Sequence, residues 1–385
     1  MKVRDITAAM ERIAPPALAE GWDNVGLLAG DPDAECAPRV VLCIDLGAGV
    51  AADAVARGAG CVIAYHPPIF APIKRLVADT PSRRALLDLL RAGIAVHSPH
   101  TALDGAEGGM TDWLADAVLE PSVIRTAGNK GGGGADRRAL SPHPVARESE
   151  ELKIVTFVPS DRVDAVRQGL ATAGAGRIGA YDLCSFAHPG TGTFRGNETS
   201  NPAVGTPGMF ERVDETRIEM VCSRAGLALA LETLRTFHPY EEPAIDVYAL
   251  EPRPLRSAGS GRRLTLDHPA RPSELAARVK RFLGVDSVAL ATVSDRPVSR
   301  VGVCPGAGGA LVAAARREGC ELFLTGEMKH HEIRAALDTG VSLILGGHTN
   351  TERPYLPRLA ARLHDLLPGA EVVVSDADSE PTRRV

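Results

Sequence analysis

Arg39-Val40-Val41-Leu42-Cys43-Ile44-Asp45 is an unbroken aliphatic run. It is followed by an alanine-rich segment from Ala48 to Arg57, a glycine at 58, and a second apolar run, Cys61-Val62-Ile63-Ala64-Tyr65, that ends on His66. Short apolar runs without alternation suit strands buried on both faces, and Gly58 is placed to close a helix between them. Strand, helix and strand in this order spell a βαβ unit, which implies a parallel sheet with helices on its faces. The pattern continues outward. Leu86, Leu87, Leu89 and Leu90 fall at helical spacing within residues 81–92, ahead of a third strand at Ile94-Ala95-Val96.

The same grammar returns near the other end. Residues 272–283 read as a helix, 288–292 and 300–304 as strands, 310–318 as a helix and 322–325 as a strand. Between the two halves the pattern changes. Residues 153–159 read as a strand and 161–173 as a helix. Glycines at 174, 176, 179, 190, 192 and 196 mark a loop-rich stretch, and residues 216–221 alternate as an antiparallel strand does. A helix over 227–237 and a strand over 244–248 complete a strand-helix-strand-strand-helix-strand order, the signature of a small ferredoxin-like α+β domain. Gly131 to Gly134, then Ser141-Pro142-His143-Pro144 and a charged run, read as a flexible linker over 128–151. Pro252, Pro254 and Gly259-Ser260-Gly261 mark a second break. The expected fold is therefore an α/β domain split into residues 1–127 and 262–385, interrupted by an inserted α+β domain over 152–251.

Bulk properties agree with a multi-domain globular protein. The 385 residues are 44% hydrophobic and 24% charged, with a formal net charge of −5 that argues against a nucleic-acid surface. Seven cysteines at 36, 43, 61, 184, 222, 304 and 320 form no C-x-x-C pair, which suits reduced thiols and a cytoplasmic location. No apolar stretch reaches the length of a membrane span, so no membrane is expected as a partner.

Chemistry concentrates where strands end, the usual ligand-binding edge of an open parallel sheet. His66 follows one strand. His100 and Asp104 in S-P-H-T-A-L-D share an H-T-x-x-acid spacing with His348 and Glu352 in G-G-H-T-N-T-E. Residues four apart share a helical face, so each motif can aim an imidazole and a carboxylate at one point. That donor set suits divalent metals, and its repetition on both sides of the insert suggests two half-sites closing on one cleft. Thr325-Gly326-Glu327 and His330-His331 follow another strand. V-C-P-G-A-G-G at 303–309 has the strand-glycine-helix form of an anion cradle but lacks G-K-[ST]; it also reads as a tight turn. His238-Pro239-Tyr240-Glu241-Glu242-Pro243 can line a pocket or shape its loop.

Taken in order, Trp22-Asp23-Asn24-Val25-Gly26-Leu27, Tyr65-His66-Pro67-Pro68-Ile69-Phe70, Ser98-Pro99-His100-Thr101-Ala102-Leu103-Asp104, Thr325 to His331 and Gly347 to Arg353 resemble the GTP cyclohydrolase 1 type 2 homologue family, the Nif-three-like dinuclear-metal hexameric proteins. Ala173 to Gly179, Cys184-Ser185-Phe186, Gly190 to Phe194 and His238 to Pro243 are similar to the PII- or CutA-like insert of its longer bacterial members. The resemblance implies two divalent cations per subunit, zinc first, with manganese, iron, cobalt and nickel as alternatives. It also implies a toroidal homohexamer and a small-molecule, nucleotide-type substrate. By this resemblance His66, Asp104, His348 and Glu352 are the metal ligands. Tyr65 stands where the family carries the first histidine of a pair, and His97, His100 or His331 are candidates to fill that place. His100 and His331 are candidate bases, Glu327 a residue that orients a ligand, and Asp23 and Asn24 candidate substrate contacts. The activity implied is metal-assisted hydrolysis; the alternative is a metal-binding scaffold or regulator without turnover.

Overall fold

The computed structural model describes residues 1–120, 136–145 and 147–382. They form two compact units, residues 1–143 with 255–385, and residues 144–254.

In the first unit the opening βαβ stretch sits at the centre of a five-stranded sheet. Its order is Gly26–Ala29, Ala95–Ser98, Cys61–Ala64, Arg39–Cys43 and Glu371–Val374. All neighbours are parallel except the first pair. The strands are buried on both faces, as their unbroken apolar runs require. Val41, Cys43, Val62, Ala64 and Val96 pack against the helices Ala48–Ala56 and Pro81–Arg91 through Val50, Ala54, Leu86 and Leu89. Val40, Leu42, Ile44, Cys61 and Ile63 point the other way, into a larger core shared with helices Val3–Ile13, Pro272–Leu283 and Leu356–Leu366. The final strand, Glu371–Val374, therefore completes a sheet begun some 330 residues earlier, and the first unit is one body built from both ends of the chain.

A six-stranded sheet carries the second half: Ala289–Ala291, Ser342–Leu345, Leu322–Thr325, Val298–Val303, Arg253–Ala270 and Arg138–Val145. Its three middle pairings include two parallel ones, so Val303, Thr325 and Leu345 all end at the same edge.

Two expectations about breaks need correction. Within the supposed linker, Arg138–Val145 form a strand, with Ala139 and Leu140 buried; residues 128–135 lie outside the described residues. The strand is the last in its sheet, where Pro142 and Pro144 cost no ladder bond. Likewise residues 253–270 are one strand of 18 residues, and the Gly-Ser-Gly within it is no break. Gly259 has φ +132°, and a Cβ there would meet Ser141 O at 2.2 Å and His143 N at 2.7 Å. The glycine lets two backbones approach closely, which is its other meaning inside a strand.

The second unit is a four-stranded antiparallel sheet, ordered Phe186–Phe194, Glu211–Cys222, Leu152–Pro159 and Ile245–Ala249. The helices Val163–Thr172 and Leu227–Phe237 pack on one core with it through Val166, Leu170, Ala230 and Leu234. The stretch expected to be loop-rich contains the edge strand Phe186–Phe194, whose mostly exposed residues and two glycines hide the strand pattern.

Candidate metal centre

Six parallel or adjoining strands deliver side chains to one place in the first unit. Asp45 follows the strand Arg39–Cys43, Tyr65 and His66 follow Cys61–Ala64, and His100 and Asp104 follow Ala95–Ser98. Gly306 follows Val298–Val303, Glu327 follows Leu322–Thr325, and His348 and Glu352 follow Ser342–Leu345. The two halves do meet at one cleft.

At its centre the ligand atoms of His66, His348 and Glu352 lie within 4.8 Å of one another, an arrangement placed to hold a metal ion. Glu352 is 2% exposed, with its Oε1 3.4 Å from His348 Nε2 and its Oε2 3.6 Å from His66 Nε2. Oε2 has no hydrogen-bond partner among the described residues. A buried carboxylate oxygen without a partner is costly, and a cation between the two imidazoles would satisfy it. Each imidazole is oriented from behind: His66 Nδ1 by Asp45 at 2.9 Å, and His348 Nδ1 by Glu327 at 3.0 Å. Such carboxylate-histidine pairs fix which ring nitrogen faces the metal. Burial disfavours protonation of His66, but Asp45 and Glu352 overcome it and take the imidazole up to about 10. His66 in turn holds the Asp45 carboxyl below its usual range, against the effect of burial. The cleft is thus strongly attractive to positive charge.

A glycine makes this packing possible. Gly306, at φ +59°, would place a Cβ 2.6 Å from Glu352 Oε1 and 3.2 Å from His348 Nε2. The loop it belongs to is a turn supporting the cluster, since the N–H groups of Gly306 and Gly308 donate to Thr351 and Thr325. A carboxylate, Glu332, also lies against Gly309, which opposes the anion-cradle reading.

The second H-T-x-x-acid motif behaves differently. Its histidine and acid are not joined by any hydrogen bond or ion pair among the described residues. His100 opens the short helix His100–Gly105 with φ +27°, and its Nδ1 lies 2.7 Å from Asp23 Oδ1. Thr101 N–H donates to the other oxygen of Asp23 at 3.1 Å. Burial opposes ionisation of Asp23, but the bonds from His100 and Thr101 prevail and lower it to about 2. Asp104 instead accepts the Tyr65 hydroxyl on both oxygens, each at 2.9 Å. Burial, reinforced by the charge of Glu352, pushes Asp104 up to about 7, and burial beside Asp104 drives the Tyr65 phenol well above its ordinary value.

The remaining candidates separate. Asn24 donates its side-chain amide to Ile69 O and its backbone N–H to Asp23 at 2.8 Å, so it braces the loop. His331 is exposed in the first turn of the helix His330–Asp338 and touches no member of the cluster. His97 is 1% exposed inside its strand, with neither ring nitrogen hydrogen-bonded among the described residues, and is not in the group that could hold a metal ion. Exposed Trp22 (61%) and Phe70 (55%) stand at the rim, their ring centroids 6.0 Å apart and Trp22 6.1 Å from His100. Sequence reasoning missed Asp45, although an acid two residues beyond a buried strand occupies the same edge as His66. It also missed Arg353, which joins Asp378 at 3.1 Å behind Asp45.

In the second unit a cavity of about 680 Å³ is walled by Phe157, Phe194 and Tyr240 together with Glu215, Arg195 and the glycine strand. His238 shapes this wall by accepting Tyr240 N–H at 3.1 Å and bonding Phe157 O at 2.9 Å. The H-P-Y-E-E-P segment therefore both shapes its loop and lines a pocket.

A split α/β protein that gathers a His-His-Glu cluster from strand ends in both halves is the class these features define. The chain belongs to the DUF34/NIF3 family (NGG1p interacting factor 3), whose pattern matches residues 1–381. Among curated relatives it is 33% identical to the GTP cyclohydrolase 1 type 2 homolog of Mycobacterium tuberculosis over 94% of this chain and 90% of that one. It is 30% identical to the protein of the same name in Bacillus subtilis, over 98% and 97%. Solved structures of a Staphylococcus aureus protein (TM-score 0.77, 25% identity) and of a Bacillus cereus protein related to NIF3 (TM-score 0.64, 28% identity) each match 100% of this chain and 99% of theirs. Among the described residues no helix is long and apolar enough to cross a membrane.

Proposed function

We propose that the protein is a divalent-metal-dependent hydrolase of a small phosphorylated molecule, of the nucleotide class to which its relatives' name points. The observation that carries this reading is the Asp23–His100 pair set against the His66, His348 and Glu352 cluster, with His66 and His100 ring centroids 5.4 Å apart. A bound divalent ion supplies Lewis acidity and a water acidified toward neutral pH. His66, His348 and Glu352 would hold that ion; zinc is the first choice, since the donor set also suits manganese, iron, cobalt or nickel. Ionised Asp23 keeps the His100 proton on Nδ1 and leaves Nε2 free to accept one, the arrangement of a general base with its orienting carboxylate. Trp22 and Phe70 offer exposed ring faces to a planar base. The family resemblance carries a toroidal homohexamer and a cytoplasmic setting into the same proposal; the two ions it implies for the family are taken up below.

The test is turnover of a nucleotide panel by the metal-loaded protein. Release of formate or phosphate is expected, abolished in His348→Ala with the assembly intact by sedimentation. Equal turnover in that variant overturns the hydrolase reading.

One observation favours a second reading, a regulatory metal-binding protein. The cavity of the second unit is of ligand-binding size and supports a PII- or CutA-like sensing role for the insert. Under this reading no member of the panel turns over, and a small molecule shifts the melting of the second unit.

A further inference from the structure

The cluster and its neighbour differ in a way that decides how many ions the centre takes. The inference rests on the metal reading above. His66, His348 and Glu352 present an unpartnered buried oxygen to a common point, which a cation fits. Asp104, the fourth acidic or imidazole ligand implied by the family, presents no such vacancy. Both of its oxygens accept the Tyr65 hydroxyl at 2.9 Å, and Tyr65 is 2% exposed with its ring wedged beside His66 (4.9 Å) and His100 (5.4 Å). The backbone carbonyl of Tyr65 is also fixed, by Ser98 Oγ–H at 2.8 Å. The backbone and ring of Tyr65 are thus held, with the hydroxyl on Asp104.

We infer that this chain holds one divalent cation, on His66, His348 and Glu352, and that the Tyr65 hydroxyl closes the second position by bonding Asp104. The Tyr65 hydroxyl turns its proton to Asp104 and offers the cleft no imidazole nitrogen, the donor that suits a divalent ion there. The nearest replacements are placed otherwise. His97 lies in the interior of its strand, and His100, whose Nδ1 is held by Asp23, is given to the base role above. The hydrogen bond from Tyr65 also gives the buried Asp104 carboxylate a partner without a second ion.

The experiment measures bound metal per chain by elemental analysis of the full-length protein, equilibrated with zinc and, separately, manganese, then freed of excess ion. Wild type is expected to hold about one ion, Tyr65→His about two and Glu352→Gln none. Two ions in wild type overturn the inference while leaving the metal centre standing. One ion in Tyr65→His also overturns it, because the hydroxyl is then not what excludes the second. No ion in wild type overturns both this inference and the hydrolase reading. A melting temperature within a few degrees of wild type in Tyr65→His shows that the variant is folded.

Discussion

Asp45 shows how a single residue outside every motif conditions the centre. It is two residues past the buried strand Arg39–Cys43, and its carboxylate holds His66 Nδ1 at 2.9 Å. Arg353 steadies it from 3.9 Å and is itself gripped by Asp378. Asp45→Asn keeps the size and one oxygen but removes the charge and can present its amide N–H to the imidazole. Partners of this kind contribute about 10–100-fold to metal affinity. Cation affinity measured by chelator competition is therefore expected to fall by that range. An unchanged affinity would show that His66 is positioned by its strand alone. The residue scale also marks where sequence reading was weakest. His348 and Glu352 were legible because four residues of spacing closed on one point. The identical spacing of His100 and Asp104 does not close on one point in the same way, because each meets a partner distant in sequence, Asp23 and Tyr65.

At the scale of elements, apolar runs and leucine spacing located the central strands and helices well, since burial on both faces leaves an uninterrupted signal. Glycine and proline did not transfer so simply. Gly259 was read as a break, yet it sits within an 18-residue strand because no Cβ fits against Ser141 and His143. Gly259→Ala forces a side chain into φ +132° and into that contact, and should cost at least about 1–3 kcal/mol. A fall of several degrees in melting temperature is the readout, and no change would mean the two backbones can separate freely. The strand Ala95–Ser98 carries a second consequence. His97 is buried without a partner, and burial lowers it to about 4. Its ordinary value is about 6.5, so between these limits the unfolded chain binds a proton that the folded one does not. Stability is full above about pH 6.5, declines as pH falls toward 4, and has lost about 2 kcal/mol at pH 5 from this group alone. His97→Leu removes the proton site, so the drop in melting temperature between pH 7.5 and 5 should shrink. An undiminished drop would place the acid sensitivity elsewhere.

For the molecule as a whole, the question is what joins the two halves of the first unit, because the metal cluster exists only when they meet. Sequence pattern indicated that the halves belong together but not how: they share one apolar core and a strand pairing, and the polar contact that ties them beside the site carries no periodicity. Arg262, from the long strand of the second half, is 1% exposed and bonds Asp112 in the first half at 2.9 Å. The same guanidinium donates to the carbonyls of Gly105 and Ala106 at 3.1 and 3.0 Å, directly after Asp104. It thus anchors the end of the helix that carries His100 and Asp104. A buried pair gives little net stability over an apolar substitute, but removing one partner strands the other and costs about 3–5 kcal/mol. Arg262→Leu leaves the Asp112 carboxylate with the Gly108 N–H at 2.8 Å and Arg137 at 3.7 Å, and frees the carbonyls that Arg262 held. The variant should melt well below wild type, and turnover should fall as the His100–Gly105 helix loosens its hold on His100. The double change Arg262→Leu with Asp112→Leu removes the stranded charge and should recover much of the stability. It would not recover the anchor, so turnover should stay low. Recovery of both together would mean that apolar packing alone sets the geometry between the halves.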